Sequence, residues 1–195
     1  MPNPAESITQ WGIAKLGFAL VEKTDGAITS FGDIHVMKGG INANMSSSDS
    51  DNNKQAADNG LHYDGSGAGN ITCELQVAKF DRWFKKNALG FFEDGGGLGR
   101  GKGVKAEIAT LVEVVTDQGG KRFVIYDGTS SDISVTFATT SVTGEITFSP
   151  ETVTITGKLA ELPNGTERSY FEIETGDEGY DTFWTDVYYP MSNGG

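Results

Sequence analysis

Cysteine is all but absent from the chain. One residue in 195, Cys73, cannot form an intramolecular disulfide, so the fold must hold by packing. Cys73 lies in NITCELQVAKF on the same period-two face as Ile71, Leu75 and Val77, which makes it a small core hydrophobe and not a nucleophile. Histidine is nearly as scarce. His35, in an alternating segment, and His62 have no second His or Cys at metal-ligand spacing, so zinc is not supported. Basic residues are few, 15 against 27 acids, and the net charge of −12 repels phosphate backbones and argues against a conventional nucleic-acid binder. No basic amphipathic helix is visible and no run approaches ~18 apolar residues, so no membrane role is expected. The start, MPNPAESITQWG, lacks the basic and apolar regions of a signal peptide, and the chain is expected to be soluble and cytosolic when made.

Glycine, by contrast, is plentiful, with 27 residues. The stretch GGGLGRGKG contains Gly96, four residues, then Gly101-Lys102, most of a phosphate loop. Gly103 stands where Ser or Thr should reach Mg²⁺, and the flanks run helix, loop, strand, the reverse of the order such a loop needs. A mobile surface loop carrying Arg100 and Lys102 is the better expectation. Other motifs fail on similar grounds. DSDNN from Asp49 begins like a calcium loop, but Lys54 occupies the glycine position and Gly60 the bidentate glutamate position. DGSGAG around Ser66 lacks the outer glycines of a nucleophile elbow. Glu172, Glu174, Asp177 and Glu178 could be posed as a hydrolytic pair, as acids in any acidic β protein could. NMS, NIT and NGT are glycosylation sequons only in a secretory context. No catalytic, cofactor or metal residue is assigned.

What dominates is period two. WGIAKLGFALVEK sets Leu16, Phe18 and Leu20 on one face, and Asp25-Gly26 signals a hairpin into AITSFGDIHVM. VKAEIATLVEVVT places Val104, Ala106, Ile108, Val112 and Val114 on one side, and RFVIYD, DISVTFAT, GEITFS, ETVTITGKL and RSYFEIET follow, bounded by Gly, Asn or Asp. The expected fold is mostly β: an antiparallel β-sandwich or partly closed barrel with one flanking α-helix, a long mobile loop and extended termini. A single domain, 1–195, accommodates it, with a terminal arm over 1–10, the loop over 39–69, the helix over 79–90 and a tail over 188–195. The helix rests on Phe80, Trp83, Phe84 and Ala88 at helical spacing, with Gly90 to end it. Tyr180, Phe183, Trp184 and Val187 form a second stripe, before Pro190, which predicts a short helix or turn.

Residues 39–69 are Gly, Ser, Asn and Asp with scattered apolar positions. Structureless loops beyond ~12–15 residues are uncommon in compact domains and tend to be functional or disordered. Ordering each residue costs about 1–2 kcal/mol, which Ile41, Met45, Leu61 and Tyr63 cannot offset within one subunit. If the loop orders, a partner surface must supply the burial.

The run GEITFSPETVTITGKLAELPNGTERSYFEIETGDEGYDTFWTDVYYP resembles the closing block of the major tail tube proteins of long-tailed, non-contractile bacteriophages, ending near Val187-Tyr188-Tyr189-Pro190. KQAADNGLHY is similar to that family's ADN element, here Ala57-Asp58-Asn59, and FKKNALGF and RFVIYDGTSSDISVTFATTS resemble its helix end and its strand, turn, strand. The glycine-rich stretch at 95–103 departs from the pattern. The resemblance implies a structural virion protein, made in the host cytoplasm, whose copies form stacked, hexameric rings of a hollow tail tube, a homo-oligomer that delivers DNA without binding it specifically. It implies tape-measure, terminator and baseplate-type partners, no membrane, no cofactor and no enzymatic activity. The long loop would reach a neighbouring ring, through Ile41, Met45, Lys54, Asp58, Asn59, Leu61 and Tyr63. A carbohydrate-binding β-sandwich adhesin and a neck or tail-completion ring protein are the alternatives.

Overall fold

The computed structural model describes residues 10–47, 56–57, 60–61, 70–116, 119–135 and 149–190. In chain order they form β1 (Gln10–Thr24), β2 (Ala27–Phe31), β3 (His35–Met37), β4 (Gly40–Ser47), β5 (Ala56–Ala57), β6 (Gly60–Leu61), β7 (Ile71–Val77), α1 (Arg82–Asn87), β8 (Phe92–Asp94) and β9 (Gly97–Gly99). Then come β10 (Ile108–Thr116), β11 (Gly119–Ser130), β12 (Ser134–Val135), β13 (Glu151–Gly157), β14 (Ala160–Glu161), β15 (Glu167–Arg168) and β16 (Tyr170–Glu174). The architecture is mostly β, with antiparallel pairings and one short helix. The main sheet runs β2-β1-β10-β11-β13-β7-β4, with β3 on β1, β16 on β11 and β12 on β13. Among the described residues it does not close into a barrel: β4 curls back until Gly40 lies against Ile13 of β1, without a β1–β4 pairing.

Two apolar clusters explain the layering. On β10, Ile108, Val112 and Val114 face a core shared with Leu16, Phe18, Cys73, Leu75, Phe84 and Ile155, while Ala109 and Leu111 face a second one with Tyr126, Ile173, Phe183 and Val187. The run IATLV, 108–112, is therefore buried on both sides, as a central strand must be. In β7 and β13 the alternation is one-sided: Ile71, Cys73, Leu75 and Val77, and Val153 and Ile155, point inward, with Thr and Glu between them. Those strands with β4 form an outer layer folded over the inner one. The Asp25-Gly26 hairpin forms as the sequence predicts, with both residues at positive φ, 53° and 89°.

Four expectations are corrected. The helix spans Arg82–Asn87 and not 79–90, because Asp81 stays extended and accepts the Phe84 N–H on Oδ1 at 2.9 Å, while Gly90 turns the chain with φ 70°. Phe80, Phe84 and Ala88 are buried, but Trp83 is only half-buried and stacks on His35, centroids 4.4 Å apart. Val104 precedes β10 and is 88% exposed. The glycine-rich stretch is not a free loop: β8 and β9 pair as a hairpin across Gly95-Gly96, both at positive φ. Finally, residues 39–69 are not wholly without structure, since 40–47 are strand β4 and β5 pairs with β6. The C-terminal stripe folds as successive turns, with Tyr180 N–H donating to Asp177 O and Phe183 N–H to Tyr180 O. All but the last residue of GEITFS, the end of DISVTFAT and most of both terminal arms lie outside the described residues.

Candidate functional site

β4 forms because Ile41, Ala43 and Met45 alternate with Asn and Ser. Ala43 pairs with Leu75 and Met45 with Cys73, and both side chains pack against the first core, so part of the presumed loop is satisfied by its own subunit. Ser46 and Thr72 hydroxyls meet at 2.7 Å across the pair. A bulge between Gly40 and Asn42 leaves Ile41 without a partner in the register, and it stays 45% exposed. β4 ends the sheet, and among the described residues no strand pairs with its outer edge. An unpaired edge of this length presents a row of N–H and C=O groups to any strand that approaches.

Beside this edge the two layers part in a cleft of about 370 Å³. Ala43, Met45 and Ile71 form one wall and Val112, Val114 and Phe123 the other, with Tyr170, Glu172 and Lys121 at the rim. Lys121 Nζ sits 2.6 Å from Glu172 and 3.0 Å from Glu174, and the Glu172 bond in particular raises its pKa above the usual lysine value. The cleft offers apolar area and one compensated cation. Cys73, the one thiol, is buried, and burial pushes it up to about 12, leaving it protonated and inert.

The sequence-predicted residues divide. Ile41 and Met45 sit on β4, and Leu61 falls in β6. Lys54, Asp58, Asn59 and Tyr63, with His62 and Ser66, lie outside the described residues. His35 is a structural contact: its Nε2 is 2.6 Å from Asp81 Oδ2. Of the acids posed as a hydrolytic pair, Glu172 and Glu174 share the Lys121 ammonium, and Asp177 Oδ2 accepts the Glu174 N–H at 2.8 Å. Among the described residues no group of three or more His, Cys, Asp or Glu could hold a metal, and no helix is long and apolar enough to cross a membrane. Sequence reasoning missed Lys121 and the cleft, whose lining comes from five strands, β4, β7, β10, β11 and β16. The β4 edge left one signal, the alternation of Ile41, Ala43 and Met45.

A family model described as phage tail tube protein matches residues 4–157. The match ends with β13, so the closing block beyond it stands on its own features. No curated protein matches the chain.

Proposed function

The chain belongs to the phage tail tube protein family, structural and non-enzymatic proteins of the virion tail, and from that premise we propose that its copies polymerise as stacked six-membered rings around a bore that passes DNA. The observation that carries the proposal is the unpaired outer edge of β4, which leads directly into residues 48–69. Pairing such edges across copies continues one subunit's sheet into the next and removes an aggregation-prone surface. A ring closes when one face meets a different face of its neighbour and the rotation returns on itself.

Ile41 and Met45 on β4, with Lys54, Asp58, Asn59, Leu61 and Tyr63 beyond it, form the contact to a neighbouring ring. The ordering cost of about 1–2 kcal/mol per residue favours burial against another copy for so polar a stretch. Tape-measure, terminator and baseplate-type proteins would meet the two ends of such a tube.

Electron microscopy of the concentrated, purified protein tests this. Long hollow tubes with six-fold end views are expected, and replacing residues 48–69 by a short Gly-Ser link should leave a folded chain, by circular dichroism, that forms none. Isolated rings from the full-length chain would mean a connector instead. Normal tubes from the shortened chain would remove the arm from the mechanism.

A further inference from the structure

Charge is unevenly distributed over this acidic chain. Residues 79–105 hold seven of the 15 basic residues and three of the 27 acids, a local net of +4 within a total of −12. They form α1, the β8–β9 hairpin and the strap into β10. Lys85 and Lys105 are committed internally, to Glu151 at 3.1 Å and Asp132 at 2.6 Å. Lys79, Arg82, Lys86, Arg100 and Lys102 are exposed. Glu93 and Asp132 partly balance Arg82, Lys86 and Arg100, but no ion pair is made by Lys79 or Lys102 among the described residues. Between α1, the hairpin and β12 a recess of about 700 Å³ opens, walled by Phe91, Leu98, Ile133 and Val135 and rimmed by Lys79, Arg82 and Lys85 with one carboxylate, Asp81, among them. Elsewhere on the same block Phe92, whose ring lies over Gly99, is 48% exposed and Val104 88%. Apolar floor, cationic rim and exposed apolar side chains together describe a docking surface for an acidic partner.

The same chain carries the complement. Glu161, Glu167, Asp177, Glu178, Asp181 and Asp186 are all exposed, and none makes an ion pair among the described residues. This acidic block packs on the second core, through Ala160, Leu162, Phe183 and Val187. The basic block packs on the first core, through Phe80, Phe84 and Leu89. The two cores lie on opposite faces of β10, so the blocks cannot satisfy each other within one subunit. A head-to-tail contact between copies brings them together.

We propose that the basic surface of α1 and the β8–β9 hairpin docks the acidic 161–186 block of a second copy, and that this charge-complementary contact joins subunits in the assembly. The inference rests on the tube-forming role proposed above and gives the glycine-rich hairpin its purpose. Arg100 and Lys102 follow β9 at the base of that hairpin, Arg100 held on Asp132 at 2.5 Å and Lys102 exposed in the strap towards β10.

Three proteins test it: K79E/K102E, D181K/D186K and the fourfold chain carrying both pairs. Among the described residues none of the four makes an internal ion pair, and equal melting curves confirm folding. Each double variant should raise the concentration needed for polymerisation at least about tenfold near 0.15 M salt, and the fourfold swap should recover most of that loss. The defect should shrink at 1 M salt, where the Debye length is about 3 Å. Wild-type tubes together with normal tubes from K79E/K102E would overturn this contact while leaving the tube role intact; absence of wild-type tubes would instead overturn the role itself. Failure of the fourfold chain to recover would also sink the pairing. Normal tubes that lose a measurable hold on duplex DNA would assign the basic surface to nucleic acid, against the proposal.

Discussion

Gly128 and Gly157 face each other where β11 leaves β16 and takes up β13. This is the corner at which one sheet becomes two layers. A Cβ on Gly128 would stand 2.6 Å from Ile155 Cγ2 and 3.0 Å from the Ile108 carbonyl, and one on Gly157 would meet Ile125 and Ile71. Neither glycine has positive φ, so close approach and not backbone freedom selects them. Filling that space forces core isoleucines off their rotamers. Gly128→Ala should therefore lower the unfolding free energy by about 1–3 kcal/mol, seen as a lower urea midpoint at unchanged slope. Equal midpoints would mean that the corner relaxes freely and that packing there does not fix the angle between layers. The C-terminal turns are held as specifically: Trp184 Nε1–H donates to Glu113 Oε2 at 2.7 Å, Arg122 Nε lies 3.2 Å from the same oxygen, and the guanidinium covers the Tyr180 ring at 3.6 Å.

At the scale of elements, six residues of helix are too few to stand alone, and α1 depends on its cap and its buried face. Asp81→Ala removes the acceptor for the Phe84 N–H and should cost about 1 kcal/mol in urea unfolding; Asp81→Asn, which keeps an acceptor there, should cost less. Equal losses would show that the hydrogen bond with His35 carries the stability instead. The helix was visible in the sequence because Phe80, Phe84 and Ala88 repeat at helical spacing, but its length was not, since Asp81 reads equally as a first-turn acid and as a cap. Strands β1, β7, β10, β11 and β13 were legible for the same kind of reason: their inward positions are large and apolar. The β8–β9 hairpin hid in glycine, although Gly95-Gly96 is a recognised tight-turn pair. β4 hid in Asn and Ser, whose composition suggests loop while Ile41, Ala43 and Met45 supply only a weak alternation. Of the candidate site, the polar stretch at 39–69 was legible as an anomaly. The cleft beside β4 was not, because its walls meet only after β7, β10, β11 and β16 have been brought into register.

For the whole molecule the decisive quantity is the excess of acid. In the proposed six-membered ring the copies, at −12 each, would carry −72 before screening, and a bore lined with that excess would repel phosphates within a Debye length of about 8 Å at physiological salt. The sign of the salt dependence separates this from ordinary DNA binding. A protein that pairs cations with phosphates binds more tightly as salt falls, because counterions are released. A wall that repels the duplex should hold it more weakly as salt falls, because screening is what permits approach. Residues 79–105 concentrate positive charge in a free subunit, and in the proposed assembly a neighbour's carboxylates cover them. Assembled tubes, incubated with labelled duplex DNA from 0.2 M down to 0.05 M salt, should therefore retain none that resists pelleting controls, with any residual signal falling at the lower salt. Retention that strengthens towards 0.05 M would show cations left open to phosphate on the tube, and a polymer with such a surface could not serve as a passive conduit for DNA.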